Sequence, residues 1–103
     1  MNNLFDLKDE LVLMTGGTGT IGKAFGIALL NAGAKVILWS RGKTVPMADT
    51  VKELEKAAEA EGRVFGFQVD VSDMDSVRKG LAKVVSTVGV PTVLINGAGG
   101  KKG

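Results

Sequence analysis

Four short stretches of this 103-residue chain carry residue types whose spacing could grip a small molecule. The first is Thr15-Gly16-Gly17-Thr18-Gly19-Thr20-Ile21-Gly22, which directly follows the apolar run Leu11-Val12-Leu13-Met14. Glycines remove the Cβ atoms that would hold a backbone away from a phosphate. A helix behind them would add unpaired N–H groups and the positive end of its dipole. A buried strand, a glycine-rich turn and a helix opening at the last glycine form the pattern of a dinucleotide-binding βα unit. The other three stretches are Ser40-Arg41 with Lys43 close behind, Asp70-Val71, and Asn96-Gly97-Ala98-Gly99.

The glycine turn fits three patterns. As G-x-G-x-x-G it uses Gly17, Gly19 and Gly22. As a P-loop it supplies Gly17, Gly22 and Lys23, but Ala24 stands where the magnesium-holding hydroxyl is required, which argues against nucleotide triphosphate hydrolysis. The third pattern adds Thr15 in front of the glycines.

About 20 residues on, a carboxylate would bind the ribose 2′-hydroxyl of NAD. The second apolar run ends instead in Trp39-Ser40-Arg41, so a guanidinium lies where a 2′-phosphate would sit, which favours NADP. The competing reading makes Arg41 and Lys43 a solvated loop. Asp70 could accept a hydrogen bond from the adenine amino group, or Asp70, Ser72 and Asp73 could simply cap the following helix. Trp39 reads as core, or as a wall beside the adenine.

Missing residue types limit the chemistry. The chain contains no His, no Cys and no Tyr, which removes Ser-His and Cys-His nucleophiles and the usual zinc ligands. Any general acid or base would be a carboxylate or a lysine. The composition equips the chain to bind a cofactor better than to transform a substrate.

A hydrophobic content of 45% supports one small globular domain. The net charge of +2 is too small to suggest a nucleic-acid partner. No apolar run nears the roughly 20 residues needed to span a bilayer. The N-terminus lacks the order of a signal peptide, so a cytoplasmic location and no membrane association are expected.

The elements that must position these residues follow from periodicity. A strand is expected over 11–15. A helix from Ile21 repeats Phe25, Ala28, Leu29 and Ala32, with Gly33 as its stop. A strand over 35–40 is followed by a polar loop over 41–46. A second helix over 47–60 presents Val51, Leu54, Ala57 and Ala58 and ends at Gly62, and a strand over 64–69 follows. Ser72 or Asp73 can cap a third helix with the stripe Val77, Leu81, Val84, Val85 and Val88, closed by Gly89. A fourth strand is expected over 92–96, with a glycine-rich turn over 97–100. The alternation βαβαβαβ with short loops implies parallel strands joined by right-handed crossovers.

Taken together, the leader from Phe5 to Gly17, the cofactor turn, the end of the second strand, Asp70-Val71 and Leu94-Ile95-Asn96-Gly97-Ala98-Gly99 resemble the N-terminal half of the short-chain dehydrogenase/reductase family. The wording from Leu94 to Gly100 looks most like members grouped with D-mannonate (fructuronate) oxidoreductases. The turn departs from the common TGxxxGxG, with Thr20 at the middle glycine, and fits TGxxGxxG through Thr15, Gly16, Gly19 and Gly22. The family's Asn-Asn-Ala-Gly has lost one asparagine here.

The resemblance implies a Rossmann-type α/β sheet of strand order 3-2-1-4 with helices on both faces, cut off after strand four. Gly16, Gly19, Ile21 and Gly22 would line the pyrophosphate, with Thr18 in the same turn. Ser40 and Arg41 would take the 2′-phosphate, Asp70 and Val71 the adenine, and Asn96, Gly97, Ala98 and Gly99 the adenosine ribose side. The implied cofactor is NADP rather than NAD. The implied reaction moves a hydride between nicotinamide and a carbonyl or secondary alcohol, with a sugar acid as a candidate small-molecule substrate, in a homo-oligomer. The family's catalytic Ser and Tyr-x-x-x-Lys have no counterpart here, so this chain by itself is expected to be inactive and to expose an apolar edge at strand four. A stand-alone or engineered non-catalytic half-fold is the alternative.

Overall fold

A computed structural model describes residues 6–16, 19–41 and 47–96. Four parallel strands, β1 (Leu11–Thr15), β2 (Lys35–Ser40), β3 (Val64–Gln68) and β4 (Val93–Asn96), form one sheet in the order β3-β2-β1-β4. Helices α1 (Thr20–Asn31), α2 (Met47–Ala58) and α3 (Met74–Thr87) connect them. The expected alternation and strand order are both present.

The two central strands read as apolar runs because both of their faces are covered. Met14, Val36, Leu38 and Val64 pack with Leu30 of α1 and Leu54 of α2. Leu11, Leu13, Ile37 and Trp39 point the other way and pack with Val69 and Val84 of α3. Trp39 is therefore core, 5% exposed, rather than a wall of the cofactor site.

Helix faces differ from the periodic reading at three places. In α1 the buried positions are Gly26 and Leu30, while Ala28 is exposed and Phe25 is 48% exposed. A Cβ on Gly26 would lie 3.3 Å from both Leu54 and Met14, so the glycine is the line of close approach. In α3 the same role falls to Gly80, against Val69 and Trp39, and the seam runs through Gly80 and Val84. Leu81 and Val85 lie to one side and stay half exposed. In α2 Thr50 joins Leu54 in the interior, and Ala57 faces solvent.

Helix boundaries shift for local reasons. α1 opens at Thr20, earlier than the last glycine, because extended Gly19 serves as its N-cap and its carbonyl accepts from Lys23 N at 2.9 Å. α2 ends at Ala58, two residues early. Glu59 takes the left-handed conformation (φ 51°), with Glu59 N donating to Lys56 O and Ala60 N donating to Glu55 O. That is a Schellman stop built on a non-glycine residue. β3 ends at Gln68 and β4 begins at Val93, each one residue inside the expected range. Gly33 and Gly89 end α1 and α3 as expected, both at positive φ.

The C-terminal end of α1 is held from a distance. Arg63, just before β3, donates through Nη1 to the carbonyls of Leu30 (3.2 Å) and Ala34 (2.8 Å). A cation there satisfies helix-terminal acceptors and complements the negative end of the dipole. Arg63→Ala should cost about 1–2 kcal/mol, lowering Tm by roughly 5–15 °C for a chain of this size. Thermal melting followed by far-UV circular dichroism checks this, and an unchanged Tm would remove Arg63 from the fold's supports.

Candidate dinucleotide site

In a parallel sheet all strands end at the same edge, and ligands bind there. Here the C-terminal edge carries, in spatial order, Asp70 and Val71 after β3, Ser40 and Arg41 at β2, Gly16 after β1, and Asn96 at the end of β4. Three strand spacings separate the two extremes, roughly 14 Å. Every described residue expected at the site lies on this edge or in the first turn of α1. Thr18, Gly97, Ala98, Gly99 and Lys43 fall outside the described residues.

The central part is built from backbone. Gly16 has φ 72°, a conformation that side chains rarely tolerate, and its N–H donates to Trp39 O at 3.1 Å. The chain thus leaves β1 still tied to β2 and then turns sharply. Gly19 has an ordinary extended backbone, and a Cβ built there meets no atom within 4 Å among the described residues. Its lack of a side chain therefore answers no packing need of the fold. It leaves open space directly over the N-terminus of α1.

That helix end is ready for an anion. Among the described residues no side chain caps it and no acidic residue occupies its first turn, so none of them neutralises its leading N–H groups and dipole. Lys23, the residue a P-loop would send to the phosphates, instead bonds Glu53 of α2 at 3.2 Å. Ile21, 83% exposed, borders the same turn.

On the β4 side, Thr15 Oγ1 donates to Asn96 Oδ1 at 2.8 Å. This fixes the side chain of Asn96 at the mouth of the turn after β1, a link invisible in sequence because 81 residues separate the pair. On the β2 side, Arg41 is exposed, and its guanidinium has no ion-pair partner among the described residues. Its carbonyl accepts from Gln68 Nε2 at 2.7 Å. The polar end of β3 was not among the expected site residues. The only hint in sequence is a single amide closing an otherwise apolar strand.

Asp70 settles into the local turn. Its Oδ1 accepts from Ser72 N (2.9 Å) and Ser72 Oγ (2.6 Å), and its N–H is bonded by Ser76 Oγ (2.9 Å). Asp73, rather than Ser72, caps α3 by accepting from Asp75 N at 3.0 Å. The capping reading of this segment is thus observed, and it leaves Val71 46% exposed beside the edge.

The fold and this edge define a dinucleotide-binding α/β unit. The short chain dehydrogenase family pattern matches residues 10–103, and the chain belongs to that family. A 2-dehydro-3-deoxy-D-gluconate 5-dehydrogenase of Formosa agariphila is 32% identical over 98 residues, covering 94% of this chain and 36% of that protein. A short-chain dehydrogenase/reductase homolog of Bacillus subtilis, YusS, is 34% identical, covering 87% of this chain and 80% of its own length. Among solved structures, an NADH-dependent reductase complexed with NAD aligns with TM-score 0.75 at 30% identity, over 89% of this chain and 37% of that one. An actinorhodin polyketide ketoreductase with NADPH aligns with TM-score 0.74 at 32% identity, over 84% and 32%. The chain thus spans about a third of the length of the Formosa relative and of both structures.

Gly19 separates folding from binding. Gly19→Asp introduces a favoured N-cap at a compatible backbone conformation, so Tm should hold or rise slightly. The same carboxylate would confront a bound pyrophosphate, and affinity for a nicotinamide dinucleotide should fall roughly tenfold or more. Melting and a fluorescence titration of NADPH test the two halves separately; a variant that binds as well as the parent would place the phosphates elsewhere.

Proposed function

We propose that this chain is the NADP-binding half of a short-chain oxidoreductase. The observation that carries the reading is the combination at one sheet edge, among the described residues, of a helix end without a side-chain cap, open space over Gly19 and an Arg41 guanidinium without an ion-pair partner. Gly16, Gly19 and Gly22 admit the pyrophosphate to the N–H groups of α1. Arg41, with Ser40 beside it, takes the 2′-phosphate through charge-assisted hydrogen bonds. Val71 offers an apolar surface to the adenine, and Asn96, held by Thr15, faces the adenosine ribose side. When bound, the nicotinamide supplies or accepts the hydride exchanged with a carbonyl or secondary alcohol.

This chain's residues bind and orient. With no tyrosine or histidine in 103 residues, they provide neither a phenol nor an imidazole for the accompanying proton transfer. In our reading those groups lie in further sequence, and the chain alone is inactive. The relative named for 2-dehydro-3-deoxy-D-gluconate favours a sugar acid as substrate. No helix among the described residues is long and apolar enough to cross a membrane. As a separate part of the proposal, resting on the family resemblance alone, the complete protein is a cytoplasmic homo-oligomer without nucleic-acid or membrane partners. The second reading, a stand-alone nucleotide-binding module, draws on YusS, of which this chain covers 80%.

Cofactor preference is the direct test. Arg41→Ala should weaken NADPH by about 10- to 100-fold, the range of a charge-assisted contact, while changing NADH by less than about twofold. Binding isotherms for both coenzymes decide it, and equal losses would return Arg41 to the status of a solvated loop residue.

A further inference from the structure

Gln68 is the only polar side chain on β3, and it stands at the C-terminal end of that strand. Its register partner across the ladder is Ser40. Backbone pairing between the strands makes its last bond one step later, where Val69 N donates to Ser40 O at 2.9 Å. Arg41 is next along β2, and its carbonyl has run past the ladder. The side-chain amide of Gln68 takes over as donor at 2.7 Å, so the pairing is extended by one bond through a side chain.

That bond acts on the residue that matters for the coenzyme. Holding the Arg41 carbonyl restricts rotation about the Arg41 Cα–C bond, and so narrows the backbone positions from which its side chain departs. A long exposed arginine otherwise samples many orientations, each of which must be given up on binding. The residue type is specific to the task. A glutamine amide can donate to a carbonyl, whereas a carboxylate of the same length cannot.

We propose that Gln68 is a positioning residue for 2′-phosphate recognition, orienting Arg41 through its carbonyl without touching the coenzyme. This rests on the NADP reading above. It goes beyond that reading by placing part of the coenzyme preference on β3, 27 residues from the arginine.

The test uses Gln68→Met, which keeps the length of the side chain and removes the donor. NADPH affinity should fall about two- to tenfold, the cost of ordering one long side chain on binding, with NADH affinity unchanged and Tm lowered by no more than a few degrees, the share of one exposed hydrogen bond. In an Arg41→Ala background the same substitution should cause no further loss of NADPH, since residues acting through one another are not additive. Equal weakening of both coenzymes, no weakening of NADPH, or full additivity in the double variant would each overturn the proposal. The parent reading fails separately. If the unsubstituted chain does not prefer NADPH, or Arg41→Ala weakens both coenzymes alike, the 2′-phosphate assignment falls and takes this one with it. A loss confined to Arg41→Ala, with Gln68→Met silent, overturns the role of Gln68 alone.

Discussion

Strand β1 is the constraint on which the rest depends. All five of its residues are buried, and it is paired on both sides, with β2 and with β4. Its side chains serve two cores at once, Met14 toward α1 and α2 and Leu11 and Leu13 toward α3. Because both neighbours run parallel to it, the turn after β1 lies between the ends of β2 and β4. The pairing with β4 is latched at each end by a side chain. Leu11 N donates to Thr92 Oγ1 at 2.9 Å at the start, and Thr15 donates to Asn96 at the finish. A four-residue strand therefore holds its register, and the site inherits that register.

The elements and the strand order were legible because the alternation of apolar runs with helical repeats leaves few arrangements. The glycine turn is marked in the sequence for a different reason: the approach expected of a phosphate requires the absence of side chains, and absence is visible in a sequence. The helix faces were harder. Periodicity counts apolar side chains, and a glycine contributes nothing to the count. Gly26 and Gly80 are nevertheless the lines along which α1 and α3 approach their neighbours, and each displaces the buried face from the stripe that the apolar residues suggest. Glu59 hid the end of α2 because local bonds, not residue type, hold it at positive φ. The bonds from Gln68 to Arg41 and from Thr15 to Asn96 exist only once the sheet has formed.

The same sheet explains where apolar surface is left uncovered. Among the described residues β4 is paired only with β1, and Leu94 is 69% exposed. Leu81 and Val85 of α3 flank a groove of about 460 Å³ that also reaches Trp39, Val90 and Leu94. On the opposite face Ile21 and Phe25 of α1 stand in solvent. At the other edge β3 is half covered, and a Cβ on Gly66 would collide with Met47 of α2. Close packing therefore concentrates around β1 and β2, the strands that carry the glycine turn and Arg41.

Burial and charge divide the labour of binding between these parts. At the glycine turn the attraction comes from backbone N–H groups and a helix dipole, which need no particular side chain and cannot distinguish coenzymes that share a pyrophosphate. Among the described residues Lys23, the lysine in the first turn of α1, bonds Glu53 rather than facing the turn. Under the proposed NADP reading, discrimination would fall to the end of β2, since NAD and NADP differ only by the 2′-phosphate. That end is exposed, and a lone arginine in water offers a modest, easily screened attraction. On the proposal made above, the bond from Gln68 would restrict the backbone of Arg41 without burying its charge. Affinity would then rest on the central strand, and selectivity on the β2–β3 pair beside it.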